Sequence, residues 1–413
     1  MSATGLVMQM PPEPGSSLRL VLVANARMPS QRAQSVQLAK AARAFQRAGA
    51  DTTVLHAQRR DTPRLEGAEV WRRLLLDFDP KERSPALQAA PCSDWIDRVP
   101  RWAQFVPARL QEWTFGRSAA RAVRRDFDGA LCLARDVEVG YGLRGRPGLA
   151  LEIHRVPGGK ARRGMLLKSV AAGAKVIAIS GGVRDDLLSL GVPETSLRVE
   201  HDAVDAGLQD ALPTREAARR KLSLAPGRPV VLYAGGLLRW KGVDVLVDAA
   251  DRLGDALVLI VGGMEQDIAA LKQRARGQRN VRIDGFREAG EIPTYLAAAD
   301  LGVVPNRKTP RISSHYTSPL KVFEAMAAGL PLVASDLPSL RDAVGESEAA
   351  IFVEPEDPAA LASGIEGLLG DPAARLGMAE RARLAVETHT WEARAQRILA
   401  FMGSESQGAH TQP

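Results

Sequence analysis

Two cysteines, Cys92 and Cys132, in 413 residues exclude a disulfide framework and a thiolate metal site, and imply buried thiols in a reducing compartment. Long apolar runs are missing too: none approaches the roughly 20 residues that a membrane-spanning helix needs. The opening MSATGLVMQMPPEPGSS has neither the basic nor the apolar stretch of a secretory signal. Residues 1–17 therefore read as a disordered leader and 404–413 as a disordered tail. Aromatic residues make up only 5% of the chain, and no nucleic-acid-binding motif accompanies its charge, which argues against nucleic acid as a partner.

What is present is ordinary for a folded protein, with 45% apolar and 25% charged residues. The length suits two domains rather than one core. The net charge of +7 is unevenly spread: residues 1–200 carry 31 Lys and Arg against 20 Asp and Glu, whereas 201–413 carry 24 against 28. A basic N-terminal half suits anionic lipid or a phosphate-bearing substrate, and a solvated basic face is the plain alternative.

Apolar runs of strand length alternate with helical patterns. LRLVLVAN (18–25), TTVLHA (52–57), GALCLAR (129–135), LALEIH (149–154), KVIAIS (175–180) and LRVEHDAVD (197–205) read as buried parallel strands of a first winding. PVVLYAGG (229–236), ALVLIVGG (256–263), VRIDGF (281–286), LGVVPN (301–306), PLVASD (331–336) and AIFV (350–353) read as a second. The expected organisation is an α/β protein of two doubly wound Rossmann-like domains facing across a cleft. Its segments are 18–205, a linker at 206–228, a second domain at 229–388, and a helix at 389–403. Residues 92–125 break the pattern with three of the six tryptophans, several arginines, and Pro100 and Pro107, which interrupt any long helix. They read either as a membrane-surface or lipid-acceptor patch or as a helical insertion on the domain's own core.

In open parallel sheets ligands bind beyond the C-terminal strand ends. In GGLLRWKG (235–242), Gly235 and Gly236 admit a phosphate close to the backbone, while Arg239 and Lys241 offer charge-assisted bonds. In HYTSPLKVFEAMAAGLPLVASDLPSL (315–340), Ser318 as cap and Pro319 at the first helical position predict a helix start that is a ready anion site. Glu324 lies just over one turn in, within reach of a sugar or ribose hydroxyl; a surface glutamate is the alternative. The loops holding Gly263 and Phe286 are placed to border a base.

Together these loops resemble glycosyltransferase family 4, over about residues 18–402, most strongly in YAGGLLRWKGVDVLVDA and SPLKVFEAMAAGLPLVASDLPS. ARMPSQRAQSVQLAKAARAF, LALEIH and VIAISGGVRDDLLSLGV resemble its weaker N-terminal signatures. The resemblance implies the two-domain GT-B fold, with HTWEARAQRILAFM as a closing helix that crosses back to the first domain, and a retaining transfer. It implies that Lys241 binds the donor diphosphate, that Ser318, Pro319 and Leu320 cradle phosphate, that Glu324 bonds the ribose, and that His154 stands near the donor sugar and acceptor. A structural histidine at a strand end is the alternative for His154. Two positions depart from the family: the arginine expected before the lysine falls on Gly235 or Gly236, leaving Arg239 as substitute, and the first of two paired glutamates falls on Tyr316.

The function expected is retaining transfer of a sugar from a nucleotide diphosphate sugar to a hydroxyl of a sugar or lipid acceptor, in polysaccharide, glycolipid or other glycoconjugate synthesis. His154, Glu324 and Tyr316 would be central, with Arg27, Arg32, Gln34 and Glu152 on the acceptor side. No tightly bound cofactor and no metal are expected: Asp77-Phe-Asp79 and Asp126-Phe-Asp128 match a metal-binding pattern, but the latter reads as a turn. The location expected is cytoplasmic, with peripheral contact to the inner membrane surface through 92–125 as a further expectation. A non-catalytic partner subunit of the same fold and a sugar-nucleotide epimerase stay open as rivals.

Overall fold

In the computed structural model the described residues are 18–30, 33–60, 65–75, 79 and 81–404; Arg32, Asp77 and the two terminal segments lie outside them. The first half winds around seven strands: β1 (Arg19–Ala24), β2 (Asp51–Gln58), β3 (Ala86–Pro91), β4 (Leu131–Ala134), β5 (Leu149–Ile153), β6 (Lys175–Ala178) and β7 (Leu197–Val199). Their order is β3-β2-β1-β4-β5-β6-β7, with every pair parallel. The second half repeats the plan with β8 (Val230–Ala234), β9 (Leu257–Val261), β10 (Val281–Gly285), β11 (Leu301–Val304), β12 (Leu332–Ser335) and β13 (Ala350–Val353). They are ordered β10-β9-β8-β11-β12-β13, again all parallel.

Continuous apolar strands are what a sheet covered on both faces demands. In β1, Val21 and Val23 enter one core cluster and Leu20 and Leu22 the opposite one. The second sheet divides likewise: Val230 and Leu232 face one cluster, Val231 and Tyr233 the other. In the stretch read as a connection, the helix Arg215–Lys221 packs on the second sheet through Ala218. Its buried Arg219 donates to the carbonyls of Ala298 and Arg228 and pairs with Asp300.

Two sequence expectations fail locally. The edge strand β3 was not foreseen, because ALQAAP is half exposed and carries no apolar run. Pro107 does not interrupt a helix: it sits in the first turn of the 22-residue helix Phe105–Asp126, where its missing N–H has no intrahelical acceptor to lose.

The chain crosses between the halves twice, and the crossings bond side by side: Val204 N–H donates to His389 O at 2.9 Å, and Trp391 N–H to Val204 O at 3.1 Å. The helix Trp391–Gly403 then returns to the first half, as the fold class requires, burying Trp391, Ala395 and Ile398 against the cluster that holds Leu20 and Phe45. Its Arg394, 2% exposed, reaches Glu152 Oε2 at 2.8 Å and donates to His201 O at 2.7 Å.

Burial alone would raise the Glu152 carboxyl, but Arg135 and Arg394 hold it well below the usual carboxylate range. Its contribution to stability is therefore full above the free-glutamate value of about 4.5 and is lost as pH falls through the depressed value. Removing one partner of a buried pair costs more than the pair contributes, because a charge is left stranded. Arg394→Met should lower unfolding free energy by about 3 kcal/mol in urea titration, and Arg394→Met with Glu152→Gln should recover part of the loss. A single-variant loss indistinguishable from zero would contradict this account of how the last helix is anchored.

Candidate active site

The glycine turns after β8 and β9 lie against each other at the C-terminal edge of the second sheet. Gly235 N–H donates to Val261 O at 2.9 Å and Gly262 N–H to Gly285 O at 2.6 Å. Gly262 has φ +111, and a Cβ there would come within 2.3 Å of Gly235 O, so no larger residue fits. With Gly263, Leu237, Met264, Phe286 and Ile292, these turns wall a cleft of about 950 Å³ that also receives Ser30 from the first half. Phe286 and Met264 are exposed, leaving one wall apolar and uncovered. That is the kind of surface on which a planar base stacks.

Lys241 closes the short 3₁₀ turn Arg239–Lys241, its Nζ 3.8 Å over the Trp240 ring. Burial pushes its pKa down to about 8. Arg239 does not join it: exposed, it lines a smaller depression of about 300 Å³ with Asp244, Asp267 and Arg274. Arg239, expected to stand in for the missing arginine, thus faces a different depression from the one the glycine turns wall.

The helix expected to start at Ser318 spans Leu320–Ala327, with Pro319 as its cap and no side-chain cap bond. Ser318 Oγ is turned instead to the first half, accepting from Asp202 N–H at 2.8 Å. The Val322 N–H closes on Pro319 O at 2.9 Å, while those of Leu320 and Lys321 have no intrahelical carbonyl at this end. Glu324, one turn in, faces the 2.6 Å ion pair of Lys40 with Asp205; burial raises its carboxyl, and Lys40 offsets part of that.

Tyr316 reaches across to the first half. Its hydroxyl donates to Asp186 on the helix Gly181–Ser189 of the first half, and Arg311 donates to that hydroxyl at 3.1 Å. It lies in the five-residue π-helical turn Ile312–Tyr316, and the ring packs on the first half's core. Next door a Cβ on Gly182 would sit 2.2 Å from His315 O, so the two halves meet backbone to backbone here.

On the first half, His154 follows β5 and bonds Glu152 Oε1 through Nε2 at 2.7 Å. Glu152 itself is 1% exposed, its carboxylate shared among His154, Arg135 and Arg394, so it reaches an acceptor only through His154. Arg27 pairs with Asp97 at 2.8 Å, and Gln34 is exposed at the start of the helix Ala33–Arg47. Among the described residues no cluster of three or more His, Cys, Asp or Glu is placed to hold a metal, and Asp126 pairs with Arg125.

Two side chains escaped sequence reasoning. Lys321 Nζ is buried without a hydrogen-bond partner among the described residues, as are both polar atoms of Asn306 beyond the end of β11. Buried polar groups are nearly always satisfied, so such orphans lack a partner that the described residues do not supply. A lysine one turn from a glutamate reads as a surface residue in sequence, and nothing in the string SPLKVFEAMA says otherwise.

Two facing Rossmann-like sheets, glycine turns around a cleft, and a helix returning to the first half define a protein of the GT-B fold class. Sucrose-phosphate synthase from Thermosynechococcus elongatus superposes with a TM-score of 0.70 at 21% identity, over 93% of this chain and 98% of its own. HepE from Anabaena, solved with UDP and glucose, superposes with a TM-score of 0.66 at 18% identity, over 93% and 98%. Residues 228–371 match the family model described as glycosyl transferases group 1. D-inositol 3-phosphate glycosyltransferase 1 of Catenulispora acidiphila is 30% identical over 260 residues, 59% of this chain and 60% of its own length. Glycogen synthase of Mycobacterium tuberculosis is 31% identical over 246 residues, 56% and 55%. The chain thus spans less than two thirds of the length of these curated relatives.

A lysine with a pKa near 8 has half its amine neutral at pH 8, whereas exposed Lys308 is raised above its ordinary value by Glu354. Acylation at pH 8 followed by peptide mapping should label Lys241 well ahead of Lys308. Equal labelling rates would contradict the desolvated state of Lys241.

Proposed function

We propose that the protein transfers a sugar from a nucleotide diphosphate sugar to a hydroxyl acceptor with retention of anomeric configuration. The observation that carries this reading is the cleft of about 950 Å³ at the glycine turns, bordered by an apolar base-sized wall and receiving Ser30 from the opposite half. The base stacks at Phe286 and the ribose lies toward Glu324. The diphosphate passes Gly235, Gly236 and Gly263 to reach Lys241 and the open backbone N–H groups at Leu320. Pro319 shapes this turn without donating to it.

In the transfer the bond from the sugar's anomeric carbon to the diphosphate oxygen breaks and one to the acceptor oxygen forms. The acceptor's proton goes to the departing diphosphate. Lys241 and the helix start at Leu320 stabilise the charge that builds on that diphosphate, and no metal is required for it. His154, held in one orientation by Glu152, faces the reacting sugar from the first half. With Tyr316 committed to Asp186, sugar hydroxyls are read by other groups.

UDP-sugars are the first donors to test, because HepE was solved with UDP and glucose. Binding of UDP-, GDP- and ADP-sugars should stabilise the protein thermally, with the shift unchanged by EDTA. Transfer should then fall by about 100-fold or more in Lys241→Ala with the melting temperature kept, as expected for losing one charge-stabilising group. Near-normal transfer by that variant, or no shift with any nucleotide sugar, would sink the assignment.

The acceptor side carries a second observation. Trp102, Phe105 and Val106 are exposed (87%, 69% and 71%), and Leu110 and Trp113 extend the patch along the same helix. Arg109 stacks on Phe105 and Arg117 on Trp113, 5.3 and 4.7 Å from the ring centres, and Arg60 and Arg98 stack on Trp95. Apolar tips rimmed by guanidinium groups fit an anionic lipid surface. The patch joins the acceptor side through Arg27 and Asp97, which suits a lipid-borne acceptor. Co-sedimentation with phosphatidylglycerol vesicles should exceed that with phosphatidylcholine and drop at least several-fold in Trp102→Ser/Phe105→Ser. Equal partition to both lipids, or no drop in the double variant, would refute the lipid contact.

A further inference from the structure

The geometry points to Lys321 as a second cationic ligand of the donor diphosphate, filling the place of the arginine this chain lacks ahead of Lys241. The inference rests on the donor reading above and adds a residue to it. Lys321 is the second residue of the helix Leu320–Ala327, and its amino group is buried with no acceptor among the described residues. An ammonium taken out of water without a counter-charge is costly, and folds retain one chiefly where a ligand supplies the partner.

Its position is fixed from two sides. Nζ lies 4.0 Å over the Tyr233 ring at the end of β8, and Tyr233 is itself pinned by its hydroxyl's bond to Gly236 O at 2.6 Å. A Cβ built on Gly235 would be 3.7 Å from that Nζ, so the amino group rests against the same glycine turn that walls the cleft. The missing arginine would have sprung from that turn. Lys321 approaches the spot from the facing helix, and the glycine leaves room for it.

The charged and titratable groups around it come from every neighbouring element. Burial is the largest influence and Lys241 repels it, and together they hold Lys321 well below the ordinary lysine value against the weaker pull of Glu324 on its own helix. Beyond Glu324 stand Lys40 and Asp205, and the Tyr233 phenol, pushed far up by burial, stays neutral. Two desolvated lysines that repel each other in the empty protein gain a shared counter-ion when a diphosphate arrives. Lys321 then takes up a proton as the donor binds.

The competing account makes Lys321 a structural prop for Tyr233, and binding measurements separate the two. Calorimetry near pH 8, in two buffers of different ionisation enthalpy, would compare UDP, GDP and ADP with uridine, guanosine and adenosine. The proteins are wild type, Lys321→Met and, as reference, Lys241→Ala; Lys321→Gln replaces the methionine variant should that one not fold. In Lys321→Met the nucleoside diphosphate should bind roughly 10- to 100-fold more weakly, as expected for losing a bond to a charged group. Nucleoside affinity should stay within about two-fold, the proton uptake of wild type should shrink, and the ligand-free melting temperature should not fall, since a stranded lysine is gone. Unchanged diphosphate affinity in Lys321→Met beside a loss in Lys241→Ala would overturn this inference and leave the donor reading standing. An equal loss for nucleoside and diphosphate, with a lowered melting temperature, would overturn it in favour of the prop. Failure of wild type to bind any of the nucleotides would overturn the donor reading, and this inference with it.

Discussion

One buried carboxylate ties the halves of this molecule to its chemistry. Glu152 ends β5 in the middle of the first sheet, and its two oxygens are divided among Arg135, Arg394 and His154. Burying that charge is possible only because two guanidiniums surround it. One of them arrives on the last helix of the chain, 242 residues later. The same carboxylate then orients the imidazole of His154 just beyond the strand. Docking of the final helix, and so the relation of the two halves, is coupled to the position of His154 by two hydrogen bonds on one side chain. A change that loosens the closing helix therefore reaches the acceptor side without touching it.

The seam between the halves explains why family-like positions do unfamiliar work. Ser318, expected to cap a helix, accepts from Asp202, which in turn is held by Gln37 at 2.9 Å. Ser180 donates to His315 O at 3.1 Å, and Asp342 accepts from Gly181 N–H. Tyr316 follows the same logic, its hydroxyl given to Asp186. The segment 313–318 thus serves as the first half's contact surface, and the anion-binding helix start that follows is positioned from across the seam. Moving the halves apart would shift the helix at Leu320 along with them.

How much of this was legible in the sequence depended on whether the controlling neighbours were local. The buried parallel strands showed themselves as continuous apolar runs, and the glycine turns after β8 and β9 as doublets at strand ends, because each is dictated by its own few residues. The edge strand β3 did not, since an edge needs no apolar face. The role of Tyr316 depended on Asp186, 130 residues earlier, and that of Ser318 on a backbone N–H 116 residues earlier. Lys321 was invisible for a related reason. Its burial comes from Tyr233 and the glycine turn, and sequence spacing shows only a lysine on a helix. Pro107 was misjudged because its effect depends on where the helix starts, which is the least certain part of any sequence reading.

The electrostatics of the cleft follow from these same constraints. Where a metal would bring its own positive charge to a diphosphate, a site built of Lys241, Lys321 and a helix start has to store that charge in the folded protein. Storing it is unfavourable while the site is empty: burial holds Lys241 near 8, and burial together with the charge of Lys241 holds Lys321 well below the ordinary lysine value. Placing both in water would remove the cost but also the strength of their pull, which grows as the surroundings become less polar. Glu324 lies close enough to temper the repulsion, yet its own carboxyl is raised by burial and spends part of its influence on Lys40. The balance leaves the empty site short of negative charge, a deficit matched in sign and place by two adjoining phosphates. A protein arranged this way would gain stability from an anion bound between the two lysines. Lys321 reaches that place from the opposite wall, its amino group 3.7 Å from where a Cβ on Gly235 would lie.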